Sequence, residues 1–560
     1  MLNSRSAEMP PSLRLLALLL CAAVLLRGSL LEHSELIDPT ETRYASVAQE
    51  MILTDNWLTP QLPMPEGVVP YMGKPPLHFW LTASAYKIFR VEEWTARLPS
   101  WLGSVVILAV IWCFARRYFD SAMGLSAGLV AFSSVMFFFL AGASVTDVTL
   151  TALVSLATYS LYVFASSDNP TKKWAWASAA CIALAFLTKG PVAIVLSWLP
   201  VLLWSLLFKK FAWLKKVPWF TASILFVAIT LPWFLENEKA QPGSLWYFFW
   251  NENIGRYLFK EYGDKYGIGH VRPYGTSWLM LLVAFLPWSI ILIRHWYKVG
   301  TAELKKTVYS NPHLCFCLVW GLSAALFFTF VRQLHAMYLL PAVPGLALST
   351  AVLLRHFESD AATHAGVTQR SKVPLVLACF LFGAHYLGFY LDGSIWLLIY
   401  GLLVSVFGCL LLSRIMHANS EHKLIAALSL GAFLLYFAAI MGVTPFTDQL
   451  RSTSRLLELI AEDSKEDPRV PLVGMMSKNG FSMYWGSRAW KNELSSEIKV
   501  DYVEPNEIPA EMTYLILRKE HIKFLMEKEK ADFKLEIKRG SWYLFKRHVS
   551  PAPGEPPKTS

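Results

Sequence analysis

Apolar residues run through the chain in stretches of about twenty, the length of helix that crosses a bilayer, and polar residues are confined to the intervals between them. Roughly thirteen stretches can be counted, centred near Leu20, Leu108, Val130, Leu156, Leu184, Leu199, Ile224, Ala284, Val319, Gly345, Leu381, Val404 and Leu434. Only Thr188-Lys189-Gly190-Pro191 separates the fifth from the sixth. We read them as two spans, because merging them breaks the charge alternation described below. Between the first and second spans lie two amphipathic helical patterns, 41–53 and 76–89, too polar or too short to cross and suited to a bilayer surface. Residues 245–259, "LWYFFWNENIGRYLF", have the same character.

Composition agrees: 54% of residues are hydrophobic and 16% charged, where a soluble chain carries about a quarter charged. This is a polytopic α-helical membrane protein. The formal net charge of +10 does not point to nucleic acid, since the basic residues form short clusters between apolar runs and no continuous surface. All seven cysteines lie inside apolar stretches, with no disulfide framework and no metal-ligand spacing. The N-terminal run lacks a small-residue cleavage site and reads as an uncleaved first helix.

The clusters set orientation. With the N-terminus inside, alternate connections hold Arg116-Arg117, Lys172-Lys173, Lys209-Lys210 with Lys215-Lys216, and the basic residues of 294–306, 355–372 and 414–423. Positively charged loops stay cytoplasmic, so residues 32–96, 236–275 and everything after about 443 are expected outside. From about 465 the pattern turns to short alternating strands, "RVPLVGMM", "MTYLILR" and "FKLEIKRGSWYLFKR", with a charged helical stretch at 519–530. The expected organisation is a membrane domain at 1–445 carrying the external loop 32–96, a small soluble α/β domain at 446–548, and a disordered tail at 549–560. No Walker loop, dinucleotide fingerprint or repeat accompanies it.

Ionisable residues at the membrane face are costly unless paired or functional. On the external side these are Asp38, Glu41, Arg43, Lys74, Asp147, Lys189, Glu252, Arg256, Arg332 and His335, with Tyr338 beside them. Capping of a following helix is the competing reading for Asp38 and Asp147, a structural ion pair for Glu41 with Arg43, and a snorkelling side chain for Lys74. His78 and His335 lack the paired spacing of metal ligands. Several cations beside carboxylates at one depth suit a lipid phosphate and a general base.

Four segments in order, "DPTETRYASVAQEM", "YMGKPPLHFWLTASAYKIF", "FLTKGP" and "FFWNENIGRYL", resemble the lipid-linked-sugar glycosyltransferases of the GT-C fold. The resemblance is to the bacterial aminoarabinose transferases that modify lipid A and the broader protein mannosyltransferase-like group, over most of residues 12–350. It implies about thirteen spans, interfacial helices and an external α/β tail. It makes Lys74 a ligand of the carrier phosphate, helped by Arg43, Lys189, Arg256 and Tyr338, and implicates the acids of the first external loop and Asp147. That family's loop usually reads Asp-Glu-Thr-Arg-Tyr; here Thr40 precedes Glu41, so Asp38 or Glu41 takes the aspartate's place. Gly73 stands where those enzymes have glutamate and Asn253 where they have histidine, which argues against a metal like theirs and leaves the sugar open.

The expectation is a multi-pass protein of the bacterial inner membrane with a cytoplasmic N-terminus and a periplasmic C-terminal domain. It moves a sugar from a polyprenyl (undecaprenyl) phosphate carrier to an acceptor on the periplasmic face, lipid A or another envelope glycan. The catalytic candidates are Asp38, Glu41 and Asp147; the phosphate candidates are Arg43, Lys74, Lys189, Arg256, Arg332 and Tyr338. No cofactor is identified with certainty, and a divalent metal is left open. A protein O-glycosyltransferase of the same fold and a lipid-linked-sugar transporter are the alternatives, the second disfavoured by the missing repeats.

Overall fold

The computed structural model describes residues 10–37, 39–64, 67–255, 271–358, 377, 381–383, 386, 395–417, 422–451, 460, 463, 472–475, 499–502, 508, 512–518, 533–539 and 542–547. The chain gathers into two compact units, one of residues 1–33, 72–82 and 97–443, the other of 34–71, 83–96 and 444–560.

Helices α1 (Pro11–Ser29), α2 (Thr40–Leu53), α3 (Leu77–Phe89), α4 (Glu93–Tyr118), α5 (Ser121–Phe132), α6 (Val135–Leu140), α7 (Thr146–Ser166), α8 (Lys172–Lys189) and α9 (Val192–Phe208) open the chain. Among the described residues, seven helices are long and apolar enough to cross a membrane: Ser12–Ser29, Glu93–Tyr118, Thr146–Ser166, Trp219–Ala240, Pro312–Phe330, Ala336–His356 and Lys423–Met441. Helix is the expected form, since lipid offers backbone amides no partner of their own. Shorter apolar helices occupy Ser121–Phe132, Val192–Phe208 and Gly401–Met416. Each expected centre thus falls on a helical residue, Leu381 included, although most of the stretch around Leu381 lies outside the described residues.

The stretch around Ala284 is not one straight span. Thr276–Ala284 and Trp288–Val299 meet at a 104° bend, at Pro287, whose ring removes an amide hydrogen from the helix ladder. The carbonyl of Leu286 there accepts the Val135 amide at 3.0 Å.

Packing of α7, α8 and α9 positions the site. Ser178 Oγ donates to Ala157 O at 3.0 Å near the middle of α7, and Lys189 at the end of α8 meets Asp147 at the start of α7, so α7 and α8 are antiparallel. Thr158 Oγ1 donates to Ser197 O at 3.4 Å and the Tyr162 and Trp204 rings meet at 5.0 Å, so α9 runs parallel to α7. The fifth and sixth apolar stretches are therefore a hairpin of two helices. It turns at Gly190, whose φ of +79° is a glycine conformation.

One end of the bundle collects the basic loops. Lys216 Nζ reaches Asp168 O at 2.6 Å, Tyr118 OH meets Ser166 Oγ at 3.0 Å, Tyr162 OH meets His313 Nδ1 at 2.8 Å, and Arg355 pairs with Asp120, whose other oxygen caps α5. The candidate site is at the opposite end.

In the second unit α2 and the 83–89 part of α3 stand where the two amphipathic patterns were read, with an antiparallel hairpin of β1 (Gln61–Met64) and β2 (Gly67–Pro70) between them. Lys87 lies over the Trp57 ring at 5.8 Å. A five-stranded sheet follows, built of β3 (Leu472–Met475), β4 (Lys499–Tyr502), β5 (Tyr514–Arg518), β6 (Phe533–Arg539) and β7 (Trp542–Arg547), ordered β4-β3-β5-β7-β6. β3 is parallel to β4 and β5, while β7 is antiparallel to β5 and β6. Strand β4 is absent from the pattern read in the sequence, and the helical stretch expected at 519–530 and the tail at 549–560 lie outside the described residues.

Candidate functional site

A cavity of about 400 Å³ opens in the first unit, lined by Lys74, Asp147, Lys189, Glu252, Asn253 and Tyr338 among apolar side chains of α9 and of residues 327–331. Lys74 enters it from the residues preceding α3, where Pro75 and Pro76 restrict the backbone and Pro76 O starts the helix by accepting the Trp80 amide at 2.9 Å. Asp147 stands in the first turn of α7 and Lys189 in the last turn of α8, each at the terminus whose dipole its charge favours. Glu252 comes from a wide-turned π-helix, Tyr247–Gly255, within the segment read as interfacial. Such turns are rare and recur at functional sites.

The charges form two pairs. Lys189 Nζ is 2.5 Å from Asp147 Oδ1, with the side chains 12% and 3% exposed, and it also sits 4.1 Å from the centroid of the Tyr338 ring, a cation–π contact. Lys74 Nζ is 3.2 Å from Glu252 Oε2 and donates to Gly73 O at 2.6 Å. Tyr247 OH donates to Glu252 Oε1 at 3.3 Å. Asp147 does not stand at the cap position of α7: that residue is Val145, whose side chain makes no capping bond, and the Asp147 carboxylate meets Lys189 and, at 3.5 Å, the Thr146 hydroxyl.

Asn253 Nδ2 is occupied by the carbonyl of Phe248 at 2.8 Å. The two carboxylates of the cavity each carry an ammonium, and among the described residues no three His, Cys, Asp or Glu side chains gather.

Of the residues named from the sequence, Asp147, Lys74, Lys189 and Tyr338 come together here. Arg332 follows Val331 of the lining but turns its guanidinium over the Tyr274 ring at 5.6 Å. Glu41 and Arg43 belong to the other compact unit, where Glu41 is buried and its Oε2 accepts the Ile37 amide at 3.0 Å. Asp38 and Arg256 lie outside the described residues. Sequence reasoning named Glu252 among the external charges without a role; its partner lies 178 residues away, a separation that no local pattern reveals.

It also set His78 aside. That ring is fully buried, and its Nδ1 is 3.0 Å from Thr149 Oγ1 in the first turn of α7. Burial pushes its pKa down to about 4 against the opposing pull of the Asp147 carboxylate, so the imidazole is neutral at physiological pH.

Comparison with known proteins agrees with the resemblance. The family model described as dolichyl-phosphate-mannose-protein mannosyltransferase matches residues 73–235. An undecaprenyl phosphate-alpha-4-amino-4-deoxy-L-arabinose arabinosyl transferase of Pseudomonas savastanoi pv. phaseolicola is 30% identical over 354 residues, 61% of this chain and 61% of that protein. A Pseudomonas fluorescens protein of the same description is 28% identical over 318 residues, 55% of this chain and 51% of its own length. The chain thus spans between half and two thirds of the curated relatives it matches. The crystal structure of ArnT from Cupriavidus metallidurans bound to undecaprenyl phosphate superposes with a TM-score of 0.73 at 19% identity, covering 95% of this chain and 98% of that one. The fold is therefore the GT-C fold of a multi-pass membrane protein, and the likeness to lipid-linked-sugar glycosyltransferases holds in both sequence and architecture.

Proposed function

We propose that the chain is a polyprenyl-phosphate-sugar-dependent glycosyltransferase of the bacterial inner membrane, taking its donor from an undecaprenyl phosphate carrier. The observation that carries this reading is the convergence of Lys74 and Lys189 in one cavity, at the end of the bundle opposite the basic loops. Because basic loops face the cytoplasm, in this reading the cavity opens toward the periplasm and the N-terminus is cytoplasmic.

Two ammonium groups suit the two free oxygens of a phosphodiester. In the reaction the bond between the anomeric carbon and the phosphate oxygen breaks as the acceptor oxygen attacks that carbon. Lys74 and Lys189 exchange their carboxylates for the phosphate and stabilise the charge that grows on it. The Tyr338 ring holds the Lys189 ammonium in place. Asp147, released from Lys189, takes the proton of the acceptor hydroxyl. Arg43, Arg256 and Arg332 remain proposed as further phosphate ligands and Asp38 and Glu41 as alternative bases; Glu41→Gln and Asp147→Asn, assayed side by side, separate them. An anionic phosphate acceptor on lipid A needs no base, and then neither acid substitution lowers the rate more than a few fold.

The relatives named for aminoarabinose transfer favour a lipid A acceptor. The match to a protein mannosyltransferase model favours protein Ser or Thr as a second reading. Purified protein in nanodiscs, given radiolabelled undecaprenyl-phosphate sugars and both acceptor classes, decides between them. Release of carrier phosphate with label in one acceptor fraction supports transfer and identifies the acceptor. Carriers that bind and are never cleaved would overturn it.

A further inference from the structure

His78 and Thr149 join the two elements that carry opposite halves of the cavity's charge. Lys74 precedes His78 by four positions on the segment leading into α3, and Asp147 precedes Thr149 by two in the first turn of α7. The ring and the hydroxyl meet at 3.0 Å with both residues buried. Thr82 Oγ1 donates to the His78 carbonyl at 3.0 Å and Thr151 Oγ1 to the Asp147 carbonyl at 2.7 Å, each within its own helix, whereas the His78–Thr149 contact is a side-chain bond that runs from one helix to the other.

We propose that His78 is a positioning residue: its bond to Thr149 fixes the spacing between the Lys74–Glu252 pair and the Lys189–Asp147 pair, so that one phosphate meets both ammonium groups. The inference rests on the glycosyltransferase reading of the cavity. A neutral ring suits the task, because an imidazolium beside Asp147 competes with Lys189 for the carboxylate. An uncharged tie fixes position without taking part in the exchange of charges. The fully buried ring lies off the cavity lining, so it acts through Lys74 and Asp147 and does not touch the carrier.

The test compares His78→Ala, His78→Asn, Thr149→Val and the Ala/Val double variant in nanodiscs. It reads kcat and KM for carrier-linked sugar, and backbone amide exchange over residues 72–78. Asn places a hydrogen-bonding atom where Nδ1 stands. The expected result is a fall in kcat of tenfold or more in His78→Ala and in Thr149→Val, with KM within threefold. The double variant is no worse than either single one, and His78→Asn recovers at least half of the lost rate. Exchange over 72–78 quickens at least fivefold in the Ala and Val variants and not in Asn.

Unchanged kcat in well-inserted Thr149→Val would overturn the proposal. So would additive losses, or a loss in His78→Asn as large as in His78→Ala. If the wild-type protein turns over none of the carriers, the glycosyltransferase reading fails by itself; the exchange data still judge the tie, and equal exchange in all four variants would sink it.

Discussion

Lys189 and Asp147 stand 42 residues apart in sequence and 2.5 Å apart in space, at adjoining ends of two antiparallel helices. Taking one partner from a buried pair leaves an uncompensated charge, at a cost of about 3–5 kcal/mol. Lys189→Met is therefore expected to lower the unfolding midpoint more than the double variant Lys189→Met/Asp147→Leu, in thermal scans of detergent-solubilised protein. Equal losses would mean that Asp147 finds another cation when Lys189 is gone.

Lys74→Ala removes an ammonium that the proposed reaction uses to hold the departing phosphate. Turnover is expected to fall by at least a hundredfold, on the order of the ~3 kcal/mol that one electrostatic contact to developing charge contributes, while insertion into the membrane is unchanged. Lys74→Arg keeps the charge but not the compact ammonium and is expected to recover only part of the rate. Radiolabel transfer measured in membranes, against the protein level on a blot, checks both.

Gly190→Ala combines two faults. The φ of +79° is strained for any residue with a Cβ, and the added atom would stand 2.5 Å from Phe248 Cζ, a ring of the cavity lining. About 1–3 kcal/mol of stability is expected to go with the backbone strain. Displacement of the ring adds a weaker affinity for undecaprenyl phosphate, readable as a rise in Kd of threefold or more.

His78 gives the protein an acid limit. Its pKa is about 4 in the fold and about 6.5 in an unfolded chain, so between those values the unfolded state binds more protons. Stability is complete above pH 6.5 and declines as the pH falls toward 4, by about 3 kcal/mol in all. His78→Asn, which carries no titrating group, is expected to show a shallower decline across that window in scans from pH 7 to pH 4. Parallel curves for the two proteins would contradict it.

Much of this was legible along the chain. Thr188-Lys189-Gly190-Pro191 between two apolar runs marked both the hairpin and its lysine, because glycine and proline interrupt a helix wherever they fall. The helical course of 245–255 was legible from its amphipathic pattern, and α2 and α3 from their periodicity. The bend at Pro287 carried its own signal, but hydropathy averaged over a window hides one proline. What no local pattern shows is pairing. Glu252 meets Lys74, and His78 meets Thr149, through tertiary packing of elements far apart in sequence, and a polar residue next to its partner looks the same as one facing water.

The resting cavity holds two ammonium groups and two carboxylates, and is close to neutral before anything enters. A carrier linked to its sugar brings one negative charge as a phosphodiester; the carrier left behind is a monoester that carries nearly two. Its extra charge forms beside Glu252, and beside Asp147 once that acid has given up the proton it took; both then compete for the same lysines. For an enzyme of the proposed kind, the acids that keep the lysines paired at rest also limit how long the spent carrier stays, so each turnover ends with the ion pairs closing behind it.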